Sequence, residues 1–241
     1  MSNSMKENRL SVLRAWGVHL YTAMGLVLAL LGVNAIVEKK ATMTILFMSL
    51  AMLIDATDGN MARRWQVKKW TPQFDGRKLD DIVDYLTYTF IPVFFMYQFN
   101  VVSWPWAVAL FGVLLASVYG FCLDAAKTGD GFFTGFPSYW NVVALYLYLL
   151  DWPQWASGLA IVALILLTFV PSKYISLNQT IQLRRTHRLF FLAWVVFMIA
   201  IVAIHDRANV YLVYLSLAYP AYYFAASFYL NLKTKGLAQT T

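Results

Sequence analysis

Two pairs of aspartates are the residues of this sequence whose type and spacing could do chemistry. Asp55 and Asp58 are three residues apart, so they share one face of a helix. Asp80 and Asp84, four apart, do the same. Both pairs lie inside apolar segments, where an ionisable group is costly and by default a functional-site hypothesis. We therefore interpret the four carboxylates as one candidate site.

The depth of these carboxylates predicts that they meet. If residues 63–76 join two helices, a rise of ~1.5 Å per residue puts Asp58 ~6 Å and Asp55 ~10 Å from the end of the first helix. On the returning helix, Asp80 lies ~5 Å in and Asp84 ~10 Å in. An antiparallel pairing of the two helices then brings all four together just below the cytoplasmic membrane surface.

Four neighbouring anions repel one another, and either protonation or divalent cations can relieve that repulsion. Oxygen ligands without cysteine or a nearby histidine favour a hard ion, Mg²⁺, Mn²⁺ or Ca²⁺, over zinc. Gly59 lets a bulky ligand approach the helix backbone, and Arg63 suits bidentate contact with phosphate. Metal, glycine and arginine together predict a phosphate-bearing substrate.

A plainer interpretation is that the acids lie at loop ends and pair with neighbouring Arg and Lys side chains. Asp75 and Asp81 fit it better than they fit metal ligation, because neither belongs to the facing pairs. The helical spacing and matched depth of the other four aspartates favour the metal site.

The composition is that of an integral membrane protein. Of 241 residues, 60% are hydrophobic, 17% are aromatic and only 13% are charged, and the mean hydropathy is +0.58. We predict an all-α, polytopic bundle of about eight transmembrane helices, each roughly 20 residues long. The candidate spans are residues 16–37, 41–62, 78–100, 104–126, 136–151, 154–175, 188–205 and 209–231.

The basic residues predict the orientation of these spans. With the N-terminus in the cytoplasm, all but three of the 19 Lys and Arg residues fall in cytoplasmic segments, which is a strong positive-inside bias. The exceptions are Lys39, Lys40 and Arg207. The net charge of +7 therefore indicates topology, and we expect no nucleic-acid partner. The sole cysteine, Cys122, excludes an intrachain disulfide.

The chain resembles the CDP-alcohol phosphotransferases in the spacing of a set of signature residues. These are Asp55, Asp58, Gly59, Ala62, Arg63, Gly76, Asp80 and Asp84. The twelve residues between Arg63 and Gly76 make a longer gap than most of that family has. In this longer gap the chain resembles the bacterial branch whose members make phosphatidylcholine. Two later segments share the resemblance, LDDIVDYLTYTFIPVF and GFFTGFPSYWN.

The resemblance implies a bundle around six core helices and transfer of a phosphatidyl group from CDP-diacylglycerol to choline, with release of CMP. It implies Mn²⁺ or Mg²⁺ as the cofactor. The implied metal ligands are Asp55, Asp58 and Asp80, with Asp84 as a ligand or as the general base. The implied CDP-binding residues are Asp55, Gly59, Ala62, Arg63, Gly76 and Asp80.

The implied architecture is a multi-pass protein of the bacterial inner membrane, surrounded by membrane lipids, with both termini in the cytoplasm. We expect an amphipathic arm at residues 1–15, a transmembrane catalytic domain at 16–231 and a tail at 232–241. The N-terminus is polar for too long to be a signal peptide, so the first span is expected to be retained. Such a chain could form a homodimer.

Choline recognition depends on aromatic residues, because a quaternary ammonium is usually held by aromatic faces and a nearby anion. Tyr88, one turn beyond the last aspartate, is the first candidate. Tyr139, Trp140 and Asn141, after a glycine-rich segment, are the next. Each also fits an ordinary core or interfacial role. Lys173 could hold the donor phosphate, or serve equally well as a positive-inside anchor.

Two rival functions stay open. The acceptor could be serine, inositol phosphate or glycerol phosphate, but an anionic acceptor would need extra Arg or Lys beside the site, whereas the aromatic richness here leans towards choline. A cation transporter or proton-coupled carrier would place its acids near the membrane midplane and on several helices. These acids lie towards the cytoplasmic end instead.

Overall fold

The computed structural model describes residues 3–123, 132–175, 184–203 and 210–238. Most of the described residues are helical, which confirms the all-α class. The chain divides into two compact units, Met1–Phe99 and Asn100–Thr241. The four predicted carboxylates all lie in the first unit.

The first unit is a helical assembly whose longest members are paired. In chain order its elements are α1 (Asn3–Val37), α2 (Ala41–Arg64), α3 (Val67–Trp70), α4 (Gly76–Asp84), a π-helical segment (Tyr85–Phe90) and α5 (Ile91–Gln98). The helix α1 packs along α2 and also contacts α3, α4 and α5. It is therefore the scaffold on which both aspartate-bearing helices rest.

Within the described part of the chain, two helices are long and apolar enough to cross a membrane. They cover Glu7–Val37, with 31 residues, and Ala41–Arg64, with 24 residues. The turn between them contains Lys39 in the left-handed backbone region. Because α1 runs without a break from Asn3, the predicted arm and the first predicted span form one helix.

The connection from α2 to α4 is short and structured. Gln66, with φ of 50°, ends the run of α2 and leads into α3. Asp75 then caps α4, since its Oδ1 accepts hydrogen bonds from the backbone N–H groups of Arg77 and Lys78, both at 3.1 Å. Asp81 lies 3.9 Å from the Arg77 guanidinium. Asp75 and Asp81 therefore have local roles, as the plainer interpretation expected for them.

The second unit contains shorter helices and one pair of strands. Its described elements are α6 (Val108–Cys122), β1 (Phe132–Thr134), α7 (Trp140–Leu150), α8 (Gln154–Phe169), β2 (Lys173–Ile175), α9 (Arg184–Ala203), α10 (Val210–Ser216) and α11 (Ala218–Ala238). The strands are antiparallel, with Phe132 opposite Ile175 and Thr134 opposite Lys173.

In three predicted spans, one end of four residues or more is not helical. The non-helical stretches are residues 104–107, 136–139 and 170–175. Each contains a proline, at positions 105, 137 and 171. Proline lacks a backbone N–H and disfavours helix in the residue before it, so helices tend to begin after it or end before it. After Pro171, residues 173–175 pair as strand β2 instead of continuing α8.

Candidate active site

Three of the four predicted carboxylates come together. Asp55 of α2 and Asp80 and Asp84 of α4 each offer one oxygen, and these oxygens lie within 4.8 Å of one another. All three residues are partly buried. Among the described residues, this is the only group of three or more His, Cys, Asp or Glu side chains with such spacing. Its oxygen-only donors fit a hard divalent ion such as Mg²⁺ or Mn²⁺.

Asp58 lies outside that group of three. Its side chain is buried, and its Oδ2 accepts a hydrogen bond of 2.8 Å from the hydroxyl of Thr22 on α1. The helical spacing correctly put Asp55 and Asp58 on related positions of α2, but it could not show that α1 supplies a donor to one of them. Thr22 is thus a residue that the sequence interpretation missed.

Tyr88, the first choline candidate, contacts a carboxylate of the group. Its hydroxyl donates a hydrogen bond of 2.7 Å to Oδ2 of Asp55, and its side chain is 6% exposed. Tyr88 belongs to the π-helical segment that continues α4. Such segments are rare and are often found at functional sites.

Gly59 and Arg63 follow Asp55 on α2, near the end of this helix. Arg63 is exposed, and its Nη2 donates a 2.6 Å hydrogen bond to Oδ1 of Asn60, one turn earlier. A Cβ added to Gly59 would lie 3.5 Å from the Arg63 guanidinium, which is ordinary van der Waals contact. The guanidinium is therefore placed on the surface beside a glycine, where a phosphate could approach both.

Gly76 and Ala62, two other predicted CDP-binding residues, face helix α1. A Cβ on Gly76 would lie 2.8 Å from Cε1 of His19, closer than real Cβ atoms come to a neighbour. Nε2 of His19 in turn lies 2.9 Å from Oγ1 of Thr71. Ala62 packs against a small core formed by Ala15, Val18 and Val67. Both signature residues thus have a packing reason to be small.

Helix α4 is also held against α1 further along, at Gly25. A Cβ on Gly25 would lie 2.4 Å from Cγ1 of Val83, the residue just before Asp84. Only glycine permits this approach of the two helices. Gly25 therefore helps to set the position of the α4 carboxylates, although it stands far from them in the sequence and was not predicted.

The remaining predicted residues lie in the second unit. The Tyr139 ring lies edge-on to Tyr223, with centroids 6.0 Å apart. Trp140 is fully buried, and its indole N–H donates a 2.9 Å hydrogen bond to the Ser117 hydroxyl. Trp140 is therefore a core residue, which is one of the two roles that the sequence left open for it.

Asn141 and Lys173 are also placed within this unit. Asn141 is buried, and its Oδ1 accepts a 2.9 Å hydrogen bond from the backbone N–H of Val142. Lys173, on β2, is partly buried, with its Nζ 5.6 Å from the centre of the Phe132 ring. This cation–π contact ties Lys173 to the opposite strand.

Tyr139 belongs to a larger set of rings, which we call the aromatic cluster. Its members are Phe136, Tyr139, Tyr174, Tyr223 and Phe224, and neighbouring centroids lie between 5.9 and 6.4 Å apart. The Tyr223 hydroxyl donates a 3.1 Å hydrogen bond to the carbonyl of Ile175. Apart from Tyr139, none of these rings was predicted from the sequence.

A family profile matches most of the chain, including the whole carboxylate site. The profile is that of the CDP-alcohol phosphatidyltransferases, and it covers residues 8–219. The chain belongs to this family. Membership confirms the resemblance seen in the spacing of the signature residues, and it makes the chain a transferase. The carboxylates of this CDP-alcohol phosphatidyltransferase are thus in a setting where a divalent ion is expected.

Individual relatives point to one branch of the CDP-alcohol phosphatidyltransferases. The chain is 42% identical over 163 residues to the phosphatidylcholine synthase of Pseudomonas aeruginosa, covering 67% of this chain and 68% of the relative. It is 34% identical over 229 residues to that of Borreliella burgdorferi, covering 94% and 98%. With the protein of the same name from Rhizobium meliloti it shares 31% identity over 224 residues, covering 92% and 93%.

Proposed function

We propose that this protein transfers the phosphatidyl group of CDP-diacylglycerol to choline, giving phosphatidylcholine and CMP. Family membership supports the transfer chemistry, and similarity to phosphatidylcholine synthases over nearly the full chain supports choline as the acceptor. The observation that carries the proposal is the group of three carboxylate oxygens within 4.8 Å. One of these carboxylates, Asp55, lies on the same helix as Gly59 and Arg63.

The residues proposed to hold Mn²⁺ or Mg²⁺ are Asp55, Asp80 and Asp84, with Asp58 as the fourth carboxylate beside them. The carboxylate spacing supports this assignment. When bound, the metal neutralises negative charge on the pyrophosphate and on the departing CMP. The sequence interpretation placed Asp58 among the primary ligands with Asp55 and Asp80, whereas the bond between Thr22 and Asp58 supports a distinct position for Asp58.

Arg63 is proposed to bind a phosphate of the CDP moiety. Its exposed guanidinium presents several N–H donors in a plane, the geometry that suits phosphate oxygens. Gly59, which has no side chain and whose Cβ position meets only the exposed Arg63 side chain, supports approach of the nucleotide to this end of α2. The proposed nucleotide-binding set is completed by Asp55, Ala62, Gly76 and Asp80.

Asp84 is the proposed general base. In this step the choline oxygen forms a bond to the phosphorus that is already esterified to diacylglycerol. The bond from that phosphorus to the CMP oxygen breaks, and the choline hydroxyl proton passes to the Asp84 carboxylate. The partial burial of Asp84 supports exclusion of water, which would otherwise hydrolyse the donor.

For choline, Tyr139 is the residue we propose to contact the trimethylammonium group, since it is only partly buried and lies among other rings. Trp140 and Asn141 are buried behind it and are proposed to support its position. Lys173 is proposed to contact the donor phosphate. The covered ring of Tyr88 and its bond to Asp55 support a different role, developed below.

We propose that about eight helices of this protein span the bacterial inner membrane, with both termini in the cytoplasm. The two long apolar helices support this, as do the shorter apolar helices Val108–Cys122, Trp140–Leu150 and Gln154–Phe169. Large apolar side chains on α1 are exposed, for example Leu20 at 66% and Leu30 at 70%, as expected of a surface facing lipid. The bacterial sources of the relatives agree with this location.

The experiment that tests the proposal supplies the purified protein with CDP-diacylglycerol, Mn²⁺ and a panel of labelled alcohols. We expect labelled lipid from choline and none from serine, inositol phosphate or glycerol phosphate. Asp84→Asn serves as the inactive control. Product from serine without product from choline would contradict the proposed acceptor while leaving the family chemistry intact.

A further inference from the structure

Two buried hydroxyl groups donate hydrogen bonds to the two aspartates of α2. Tyr88 donates to Asp55 at 2.7 Å, and Thr22 donates to Asp58 at 2.8 Å. We propose that Tyr88 and Thr22 are positioning residues that fix these carboxylates for metal binding. This inference rests on the proposed function, because it concerns the same carboxylate site.

The bond from Tyr88 has the character of a strong interaction. Its length of 2.7 Å falls where hydroxyl-to-carboxylate bonds are charge-assisted. Tyr88 is 6% exposed and Asp55 is partly buried, so the bond is only partly shielded from water. A carboxylate has two oxygens with about four acceptor sites, so the bond leaves Asp55 capacity to bind a cation.

The π-helical segment places the Tyr88 hydroxyl where it is needed. Asp84 is the last residue of α4, and the π-helical turn Tyr85–Phe90 follows directly. A π-helical turn contains more residues than an α-helical turn, so it changes the direction in which the following side chains point. As a result, one continuous run of helix supplies Asp80 and Asp84 to the carboxylate group and a hydroxyl to Asp55.

Thr22 holds the other aspartate from the opposite partner helix. It is 7% exposed on α1, and Asp58 is 6% exposed on α2. A buried carboxylate is costly unless it is hydrogen-bonded, so this bond determines which way Asp58 is turned. The two hydroxyls come from different elements, namely α1 and the π-helical segment. Together they restrict both carboxylates of α2.

Removal of either hydroxyl is therefore expected to weaken metal binding. Residues that orient metal ligands typically change metal affinity by about 10- to 100-fold when they are mutated. We expect Tyr88→Phe to fall in that range and Thr22→Val to lie near its lower end, because Asp55, and not Asp58, belongs to the group of three. A choline-binding role for Tyr88 predicts something different: a raised choline KM and unchanged metal affinity.

The test measures Mn²⁺ binding to the purified full-length protein in the absence of substrate. Electron paramagnetic resonance reports the concentration of free Mn²⁺. Matched controls lose a hydroxyl that bonds elsewhere. Tyr21→Phe removes a 2.8 Å bond to Thr57 on α2, and Thr87→Val removes a 3.0 Å bond to the Val83 carbonyl. We expect both controls to bind Mn²⁺ as the wild type does. Asp80→Asn is expected to lose measurable binding.

Steady-state kinetics separate positioning from general damage. At saturating Mn²⁺ we expect Tyr88→Phe to regain at least half of the wild-type kcat, with its choline KM unchanged. Wild-type Mn²⁺ affinity in both Tyr88→Phe and Thr22→Val would overturn the inference, as would a raised choline KM of Tyr88→Phe at saturating Mn²⁺. Mn²⁺ binding that follows the expected pattern, in a protein that makes no phosphatidylcholine, would refute the proposed function and leave the inference standing.

Discussion

The two segments that carry the carboxylates are held in different ways. At the end of α2, a Cβ on Gly59 would meet only the Arg63 side chain, at ordinary contact distance, and Arg63 is exposed. At the start of α4, Gly76 lies against His19 and the chain is capped by Asp75. One segment thus leaves room for a ligand, whereas the other is packed against α1. Gly59 and Gly76 are both signature residues, but the physical reason for a glycine differs between the two positions.

This difference indicates that the α2 and α4 segments have different roles in the site. The α4 segment is fixed by the scaffold helix, through Gly76 at its start and through Val83 against Gly25 near its end. It can present Asp80 and Asp84 in a defined position. The α2 segment borders the space in which the nucleotide is proposed to bind. Substitutions in the two segments should consequently fail in different ways, and the following predictions use that contrast.

Among substitutions in the α4 segment, which is packed against α1, Asp84→Asn is expected to have the largest effect on activity. Asparagine keeps the shape of the side chain but cannot accept the choline proton, and loss of a general base typically costs about 10²- to 10⁴-fold in rate. We expect kcat to fall by that amount, with the thermal unfolding transition unchanged. The measurement is phosphatidylcholine formation at saturating Mn²⁺. A kcat within threefold of wild type would assign the base to another residue.

Gly76→Ala should lower the free energy of unfolding more than it lowers the catalytic rate. The new Cβ would lie 2.8 Å from the His19 ring, so the His19 side chain or the helix backbone must shift, and such overpacking typically costs about 1–3 kcal/mol. Denaturant unfolding in lipid micelles checks this loss. The double variant Gly76→Ala with His19→Ala should show a cost smaller than the sum of the two single costs, because they share one contact. Additive costs would contradict the packing explanation.

Gly59→Ala is the matched change in the open segment, and its effect should be the smallest of the three. Its Cβ would make only ordinary contact with Arg63, and alanine favours helix over glycine by roughly 0.5–1 kcal/mol. We expect unchanged or slightly raised stability. We also expect KM for CDP-diacylglycerol to rise about 10-fold, the effect that one extra methyl group can have in a binding site. A loss of stability equal to that of Gly76→Ala would remove the contrast between the segments.

Much of the carboxylate site could be predicted from local periodicity. The spacing of Asp80 and Asp84 follows from the helical repeat, and their meeting with Asp55 follows from equal depth on antiparallel helices. The distinct position of Asp58 could not be predicted in this way. It depends on a hydroxyl 36 residues away on α1, and local periodicity carries no information about which helix packs on which face.

The packing of α4 and the direction of Tyr88 were missed for related reasons. The contact between Gly76 and His19 joins residues far apart in the sequence, so no short pattern reveals it. Tyr88 stands four residues after Asp84, which predicts a shared face only if the helix stays α-helical. The π-helical segment breaks that assumption.

The second unit was the harder part to predict. The chain contains 15 tyrosines and nine tryptophans, so composition alone cannot choose the residues that surround a cation. The aromatic cluster joins positions between 136 and 224, which only long-range packing brings together. Of its rings, Tyr139 alone followed from the sequence. It did so through its place after the glycine-rich segment, without any signal for its partners.

The central claim is that carboxylates from both segments act as one metal-dependent site for phosphatidyl transfer. The most direct test is a Mn²⁺ titration of phosphatidylcholine formation by the wild type and by Asp55→Asn and Asp80→Asn, one change in each segment. We predict activity that requires Mn²⁺ or Mg²⁺ in the wild type and is lost in both variants, with the fold of each retained. Metal-independent activity, or near wild-type turnover by either variant, would contradict the claim.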